Sequence, residues 1–201
     1  MNAKLNGTQQ LAAIVTHAVA DYDHWKAGFD AHQQPREDVG IEAHCLNRLL
    51  DEENTISAYF LATDQAKLEA FFADPELAKA MKAAGVAGPP TILFVRQDED
   101  TTVWDRPLAA AVVVHDVEDY ERWKQAFDAH AGARASAGVI AHAVNRSVED
   151  PNRVVVFLQA EKRESLQSFM QSPDLAQAMM AAGVQGKPHV TFVQTVERVD
   201  Y

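Results

Sequence analysis

Three histidines recur along the chain: His17, His32 and His44 are followed 98 residues later by His115, His130 and His142. Imidazole is the side chain that exchanges protons near neutral pH, so each pair is a candidate base, hydrogen-bond partner or metal ligand. His44 and Arg48 stand four residues apart, as do His142 and Arg146. On a strand that even spacing turns both side chains to one face. His44 and His142 are thereby expected as general bases, with Arg48 and Arg146 stabilising an oxyanion or enolate. His17 with Tyr22, and His115 with Tyr120, are placed to close the same pocket. Trp25 and Phe29, like Trp123 and Phe127, would supply its apolar or stacking wall. Asn47 and Asn145 complete the candidate substrate-binding set, although strand alternation points Asn47 to the opposite face.

Each of these residues also has a structural reading. Trp25 and Phe29 at helical spacing suit an ordinary core, and His17 can cap a strand end and bond a loop. Arg48 and Asn47 can stitch a hairpin, His32 and Asp30 can face solvent, and Lys26 can be a surface residue with a buried stem. A histidine-only metal centre within one copy is not expected. His32 lies a helix length from His17 and His44 about two strand spacings, roughly 10 Å, to the side. Cys45 is the only cysteine and is alanine at the matching position, which excludes an internal disulfide, a multi-thiolate metal site and a nucleophilic cysteine common to both copies. No phosphate-binding loop, dinucleotide fingerprint or nucleophile elbow occurs, so no cofactor is expected.

The elements that must position these residues are written twice. His17-Ala-Val-Ala-Asp-Tyr22-Asp-His-Trp25-Lys-Ala-Gly-Phe29 lies over His115-Asp-Val-Glu-Asp-Tyr120-Glu-Arg-Trp123-Lys-Gln-Ala-Phe127, and the register continues without a gap through Gly85-Val-Ala-Gly88 and Gly183-Val-Gln-Gly186. About 36 of 87 aligned positions are identical, which marks an internal duplication. In each copy an apolar strand (Leu11 to His17) precedes a helix capped by Asp21 or Asp119, with Tyr22, Trp25, Phe29 and His32 on one face. A strand from Gly40 through Arg48, a turn at Asp51 to Asn54 and a β-branched strand follow. Gln65 to Phe72 suits a helix, and Asp74-Pro75 or Ser172-Pro173 restarts one. Gly85 and Gly183 stop it, and Pro90 to Val95 forms the last strand.

This order, β-α-β-β-α-β, is the ferredoxin-like arrangement and predicts an α+β fold. Modules are expected at 9–97 and 108–197, joined by an acidic linker, 98–107, that carries the unpaired Trp104. Helices on one side leave each sheet with a bare apolar face, so the two ferredoxin-like βαββαβ modules are expected to pack sheet to sheet as a pseudo-dimeric α/β barrel. That makes a monomer with pseudo-two-fold symmetry the expected state, with a homodimer as the alternative.

Composition narrows the partners. A net charge of −11 over 201 residues disfavours nucleic acid and anionic membrane surfaces. No apolar run approaches the ~18–20 residues of a membrane helix, and the first residues lack the pattern of a secretory signal, so a cytoplasmic location is expected.

The run His-x-Val-x-Asp-Tyr-x-x-Trp-Lys-x-x-Phe-Asp, followed by Pro-x-Leu-x-x-x-Met and Ala-Gly-Val-x-Gly, resembles the dimeric α/β-barrel superfamily, and within it the antibiotic-biosynthesis monooxygenase-like and cyclase-like proteins. The likeness covers both copies. It implies a cofactor-free monooxygenase, cyclase or isomerase acting on an aromatic or polyketide-like molecule in a pocket of each module. The alternatives are non-catalytic binding of an apolar ligand or haem, and a structural or stress-response protein without an active site.

Overall fold

A computed structural model of the chain describes residues 10–52 and 54–201. The first half runs β1 (Gln10–Val19), α1 (Tyr22–Ala31), a short α2 (Gln33–Asp38), β2 (Ile41–Leu49), β3 (Thr55–Ala62), α3 (Gln65–Phe72), α4 (Pro75–Ala83) and β4 (Val86–Asp100). The second half repeats it as β5 (Ala109–Val117), α5 (Tyr120–Ala129), α6 (Ala131–Ser136), β6 (Val139–Ser147), β7 (Arg153–Ala160), α7 (Arg163–Met170), α8 (Pro173–Ala181) and β8 (Val184–Asp200).

Local chemistry sets these boundaries. Asp21 accepts from the His24 backbone N–H at 2.8 Å and Asp119 from that of Arg122 at 2.7 Å, satisfying donors that the first helical turn leaves free. Asp74 and Ser172 cap α4 and α8 ahead of a proline at the first helical position. Gly85 and Gly183 then adopt φ of +84° and +83°, a left-handed turn that ends the helix and sends the chain back into the sheet.

The strands close into one barrel in the order β1-β3-β2-β8-β5-β7-β6-β4, every pair antiparallel. Each half alone would be an open sheet, β4-β1-β3-β2 or β8-β5-β7-β6, with two unsatisfied edges. The barrel joins β2 to β8 and β4 to β6, so each half saturates the edges of the other.

Strand alternation sorts the side chains into two layers. Ala12, Val95 and Val155 face inward with Ile14, Tyr59, Leu61, Leu93, Val112 and Val114. The outward face meets the helices in two matching cores. Val15, Leu46, Ile56 and Phe60 pack beneath Trp25, Leu68 and Phe71; Val113, Val144, Val154 and Leu158 pack beneath Trp123, Leu166 and Phe169.

The last strand of each half is longer than the sequence pattern suggested. β4 runs through Asp100, so the opening of segment 98–107 is strand, and its Glu99 lies opposite Val144 of the other half. The rest of the segment crosses one end of the barrel. The Val103 backbone bonds the Gln159 side chain in both directions, and Trp104 stacks on Phe157 at 6.1 Å with the Arg198 guanidinium over its ring. No helix among the described residues is long and apolar enough to cross a membrane.

Candidate functional site

Between the outward sheet face and the helices each half has an apolar cavity, partly open to solvent, and the two differ greatly in size. In the second half it measures about 450 Å³, walled by His115, Trp123, Phe127, Leu158, Phe169 and Met170 with Arg134 and His130. The matching space in the first half is about 70 Å³. That is room for a few water molecules, against a volume within the range of small-molecule sites.

Three sequence differences at the 98-residue offset account for the contrast. Phe60 and Phe72 project into the first cavity where Leu158 and Met170 line the second. Gly28 of α1 sits so close to α4 that an added Cβ would lie 2.8 Å from the Ala84 Cβ, whereas α5 carries Ala126 at this place. The glycine lets the helices close on each other; the alanine holds them apart. A pocket in each module was the expectation from sequence. Among the described residues, the cavity of the second half is large enough for an aromatic molecule and its counterpart in the first half is not.

His115 is the polar feature of this cavity. It is 7% exposed, its ring lies 5.4 Å from that of Trp123, and neither ring nitrogen has a hydrogen-bond partner. Burial pushes its pKa down to about 4, so the imidazole is neutral at pH 7. His17 repeats this state, 5.5 Å from Trp25 and also pushed down to about 4 by burial. Arg134 extends along the second cavity with its guanidinium carbon 3.6 Å from the Phe127 ring centroid and Nη1 donating to the Phe127 carbonyl. His130 reaches Asp174 at 2.9 Å.

The expected site residues therefore divide. His17, Trp25 and Phe29, with His115, Trp123 and Phe127, line the cavities. His44, Arg48, Tyr22 and their counterparts His142, Arg146 and Tyr120 share the outward face but stand outside the cavity walls. The Arg48 guanidinium packs over Tyr22 at 4.6 Å and that of Arg146 over Tyr120 at 3.6 Å, while the Tyr120 hydroxyl donates to Asp98. His44 has both ring nitrogens engaged, Nδ1 with the Tyr201 hydroxyl and Nε2 with Glu197, each at 2.8 Å, and is not free to act as a base on a ligand. Asn47 and Asn145 sit inside the barrel. Asn47 accepts from Thr195 at 2.7 Å and Asn145 from the Tyr59 hydroxyl at 3.1 Å, which places both across the sheet from the cavity.

Four pairs escaped the sequence reading. Arg36 and Arg134 are identical at the same offset, and that identity was the available signal. His32 and His130, read as solvent-facing, line the cavities. Glu99 and Glu197 also match at this offset, although the segment holding Glu99 reads as a linker without a counterpart. Each glutamate crosses to the other half: Glu197 meets His44 and Lys26, and Glu99 meets His142 and Lys124. Burial alone would raise the Glu197 carboxyl; hydrogen bonds from His44 and Lys26 outweigh it and hold it below the usual range. Gln33–Asp38 and Ala131–Ser136, short helices without a strong periodic pattern, carry the Arg36 and Arg134 pair. Among the described residues no group of three or more His, Cys, Asp or Glu converges on a point suited to a metal ion.

No protein-family model matches the sequence, and no curated relative does. Solved structures are similar over nearly the whole chain. An anthrone oxidase-like protein superposes with a TM-score of 0.70 at 12% identity, covering 96% of this chain and 94% of its own. A Listeria monocytogenes ferredoxin-fold protein related to antibiotic biosynthesis monooxygenases gives 0.56 at 10% identity, covering 96% and 99%. A haem-degrading enzyme from Listeria monocytogenes gives 0.52 at 9% identity, covering 92% and 98%. At these identities the likeness establishes the fold alone, an α/β barrel with two ferredoxin-like halves in one chain.

Proposed function

We propose that the second half of this chain takes up one flat aromatic ketone between α5, α7, α8 and the sheet, and oxidises it with dioxygen without a bound cofactor. The observation that carries this reading is His115: a neutral imidazole with two unpaired nitrogens on the wall of an apolar cavity of about 450 Å³. An unsatisfied buried polar group costs on the order of 1–3 kcal/mol, a cost that a ligand able to pair with it removes.

The chemistry follows from the wall. A tricyclic ketone such as anthrone has an acidic ring methylene, and His115 can accept one of its protons. Burial opposes the imidazolium, but an enolate formed beside it favours the charged form, and the Arg134 guanidinium on the same wall offsets the enolate charge. The electron-rich enolate can then reduce dioxygen. Over the full reaction the methylene carbon loses both hydrogens and gains one oxygen atom as a new carbonyl, and the second oxygen atom leaves as water. The same proton removal would begin an isomerisation or cyclisation, which consumes no dioxygen. The fold shared with an anthrone oxidase-like protein supports the oxidative branch.

Dioxygen uptake and quinone formation from anthrone, in chelator-treated buffer, test the reading. Uptake above the solvent rate is expected, falling at least about a hundredfold in His115→Ala, the scale of a lost general base. Uptake equal to the solvent rate would reject oxidation. Haem is the competing occupant, because an open imidazole nitrogen suits an axial ligand. A shifted Soret band on haemin addition that His115→Ala abolishes would replace oxidation with haem binding.

A further inference from the structure

The two halves carry the same Arg–Phe–His stack, and only one of them has it filled. In the first half the Arg36 guanidinium carbon lies 3.8 Å from the Phe29 ring centroid, and His44 meets that ring edge-on at 5.1 Å and 74°. In the second half Arg134 lies 3.6 Å from Phe127, and His142 meets Phe127 at 5.1 Å and 74°. Into the first stack β8 delivers a phenol. Arg36 Nε donates to the Tyr201 hydroxyl at 2.6 Å, that hydroxyl in turn meets His44 Nδ1 at 2.8 Å, and His44 Nε2 meets Glu197. One consistent proton assignment runs Arg36 to Tyr201 to His44 to Glu197, with every donor used.

The second half lacks the phenol because its strand leaves early. The Tyr201 backbone N–H still pairs with Glu42, whereas Thr101 makes the last backbone bond to β6, at His142. Val103, which matches Tyr201 at the 98-residue offset, turns away to Gln159. The consequences are visible in exposure: His142 is 16% exposed where His44 is 3%, and Ile140 beside the vacated edge is 42% exposed. Glu99 still stands 3.1 Å from His142 Nε2, and Arg134 still bonds the Phe127 carbonyl, but no hydrogen bond reaches Arg134 Nε or either His142 ring nitrogen among the described residues.

We infer that Arg134, Phe127 and His142 form a binding site for a free small phenol, whose hydroxyl takes the place that the Tyr201 hydroxyl holds between Arg36 and His44. The site lies where β4 leaves the first residues of β6 and shares the Arg134 and Phe127 wall with the cavity; His142, which stands outside the cavity wall, separates it from oxidation by His115. Recognition comes from the hydroxyl, which accepts from a cation and donates to an imidazole; the ring rests on apolar surface at Phe127 and Ile140. A hydrogen bond to a charged donor is the stronger kind, so a phenol is expected to bind at least about tenfold tighter than the same ring without its hydroxyl.

The probe is 4-methylphenol, the tyrosine side chain as a free molecule, with toluene as the control, titrated calorimetrically into the whole protein. One equivalent of 4-methylphenol is expected to bind, with toluene at least about tenfold weaker at the same site. His142→Ala should remove that preference, and Leu158→Phe with Met170→Phe, which fills the cavity, should leave it. Tyr201→Ala should raise the stoichiometry to two by opening the first stack. No hydroxyl preference, or a preference lost on filling the cavity and kept in His142→Ala, would overturn the site. Failure of Tyr201→Ala to fold leaves the test resting on His142→Ala alone, where unchanged binding is equally decisive against it.

Discussion

His17 and His115 show how burial decides what an imidazole can do. Neither has a hydrogen-bond partner, both lie against a tryptophan, and both are held neutral by loss of solvent rather than by a neighbouring charge. The folded chain thus binds fewer protons than the unfolded one between pH ~4 and ~6.5, the window between the two pKa values. Because these pKa values are depressed on folding, the unfolded state gains as pH falls, by on the order of 3 kcal/mol per histidine at pH ~4. Denaturant titrations at pH 7 and pH 4.5 should therefore show a steep loss of stability that His17→Gln with His115→Gln makes shallower. Carboxylates titrate in both proteins, so the difference between them isolates the two imidazoles; parallel curves would refute the burial argument. His17, Trp25 and Phe29 were legible in the sequence because helix periodicity and identity between copies both point at them. That His44 is already engaged is not legible in the sequence, for a reason that also has a scale. Its partners, Tyr201 and Glu197, lie at the far end of the chain and reach it only when β8 pairs with β2, which no local pattern encodes.

At the level of elements, two copies of one architecture have been tuned to opposite ends by a handful of side chains. The caps of α1, α4, α5 and α8, the Pro starts and the left-handed glycines are shared, and each could be read directly because it acts on its own few residues. Cavity size could not be read in this way. It depends on how Phe60, Phe72 and Gly28 meet across α1, α3, α4 and the sheet, a sum over elements in which an aromatic core residue and a ligand wall look the same. The exchange can be run in both directions. Leu158→Phe with Met170→Phe should abolish uptake of an aromatic ligand by the second half and raise the melting temperature, as filling a void commonly does. Phe60→Leu, Phe72→Met and Gly28→Ala together should open the first half, at a cost on the order of 1 kcal/mol per large-to-small exchange. Equilibrium binding of anthrone to the triple variant should reach two equivalents per chain. A triple variant that still binds one would mean that backbone position, rather than these three side chains, holds the first cavity shut.

The whole molecule is one closed barrel in spite of its two-part sequence. Duplication was plain from the 98-residue register, and the prediction of two bare sheet faces turned to each other is met by the barrel. What the sequence concealed is how the edges join. β4 and β8 overrun their own halves to complete the sheet of the other, carrying Glu99 to Lys124 and Glu197 to Lys26. The segment expected as a linker is therefore partly a seam, and Trp104 and Val103 cross the barrel end beside it. If the seam holds the halves together, the covalent connection should be dispensable once folding is complete. A protease site inserted at Asp105–Arg106, both exposed, allows the folded chain to be nicked. The fragments should co-elute as one particle and unfold in a single transition, because separating them would expose both ladders and the inward apolar layer together. The midpoint of that transition should now depend on protein concentration, since unfolding has become dissociation. Two transitions, or fragments that part on dilution while each stays folded, would mean that the halves are independent modules and that the barrel is merely their meeting.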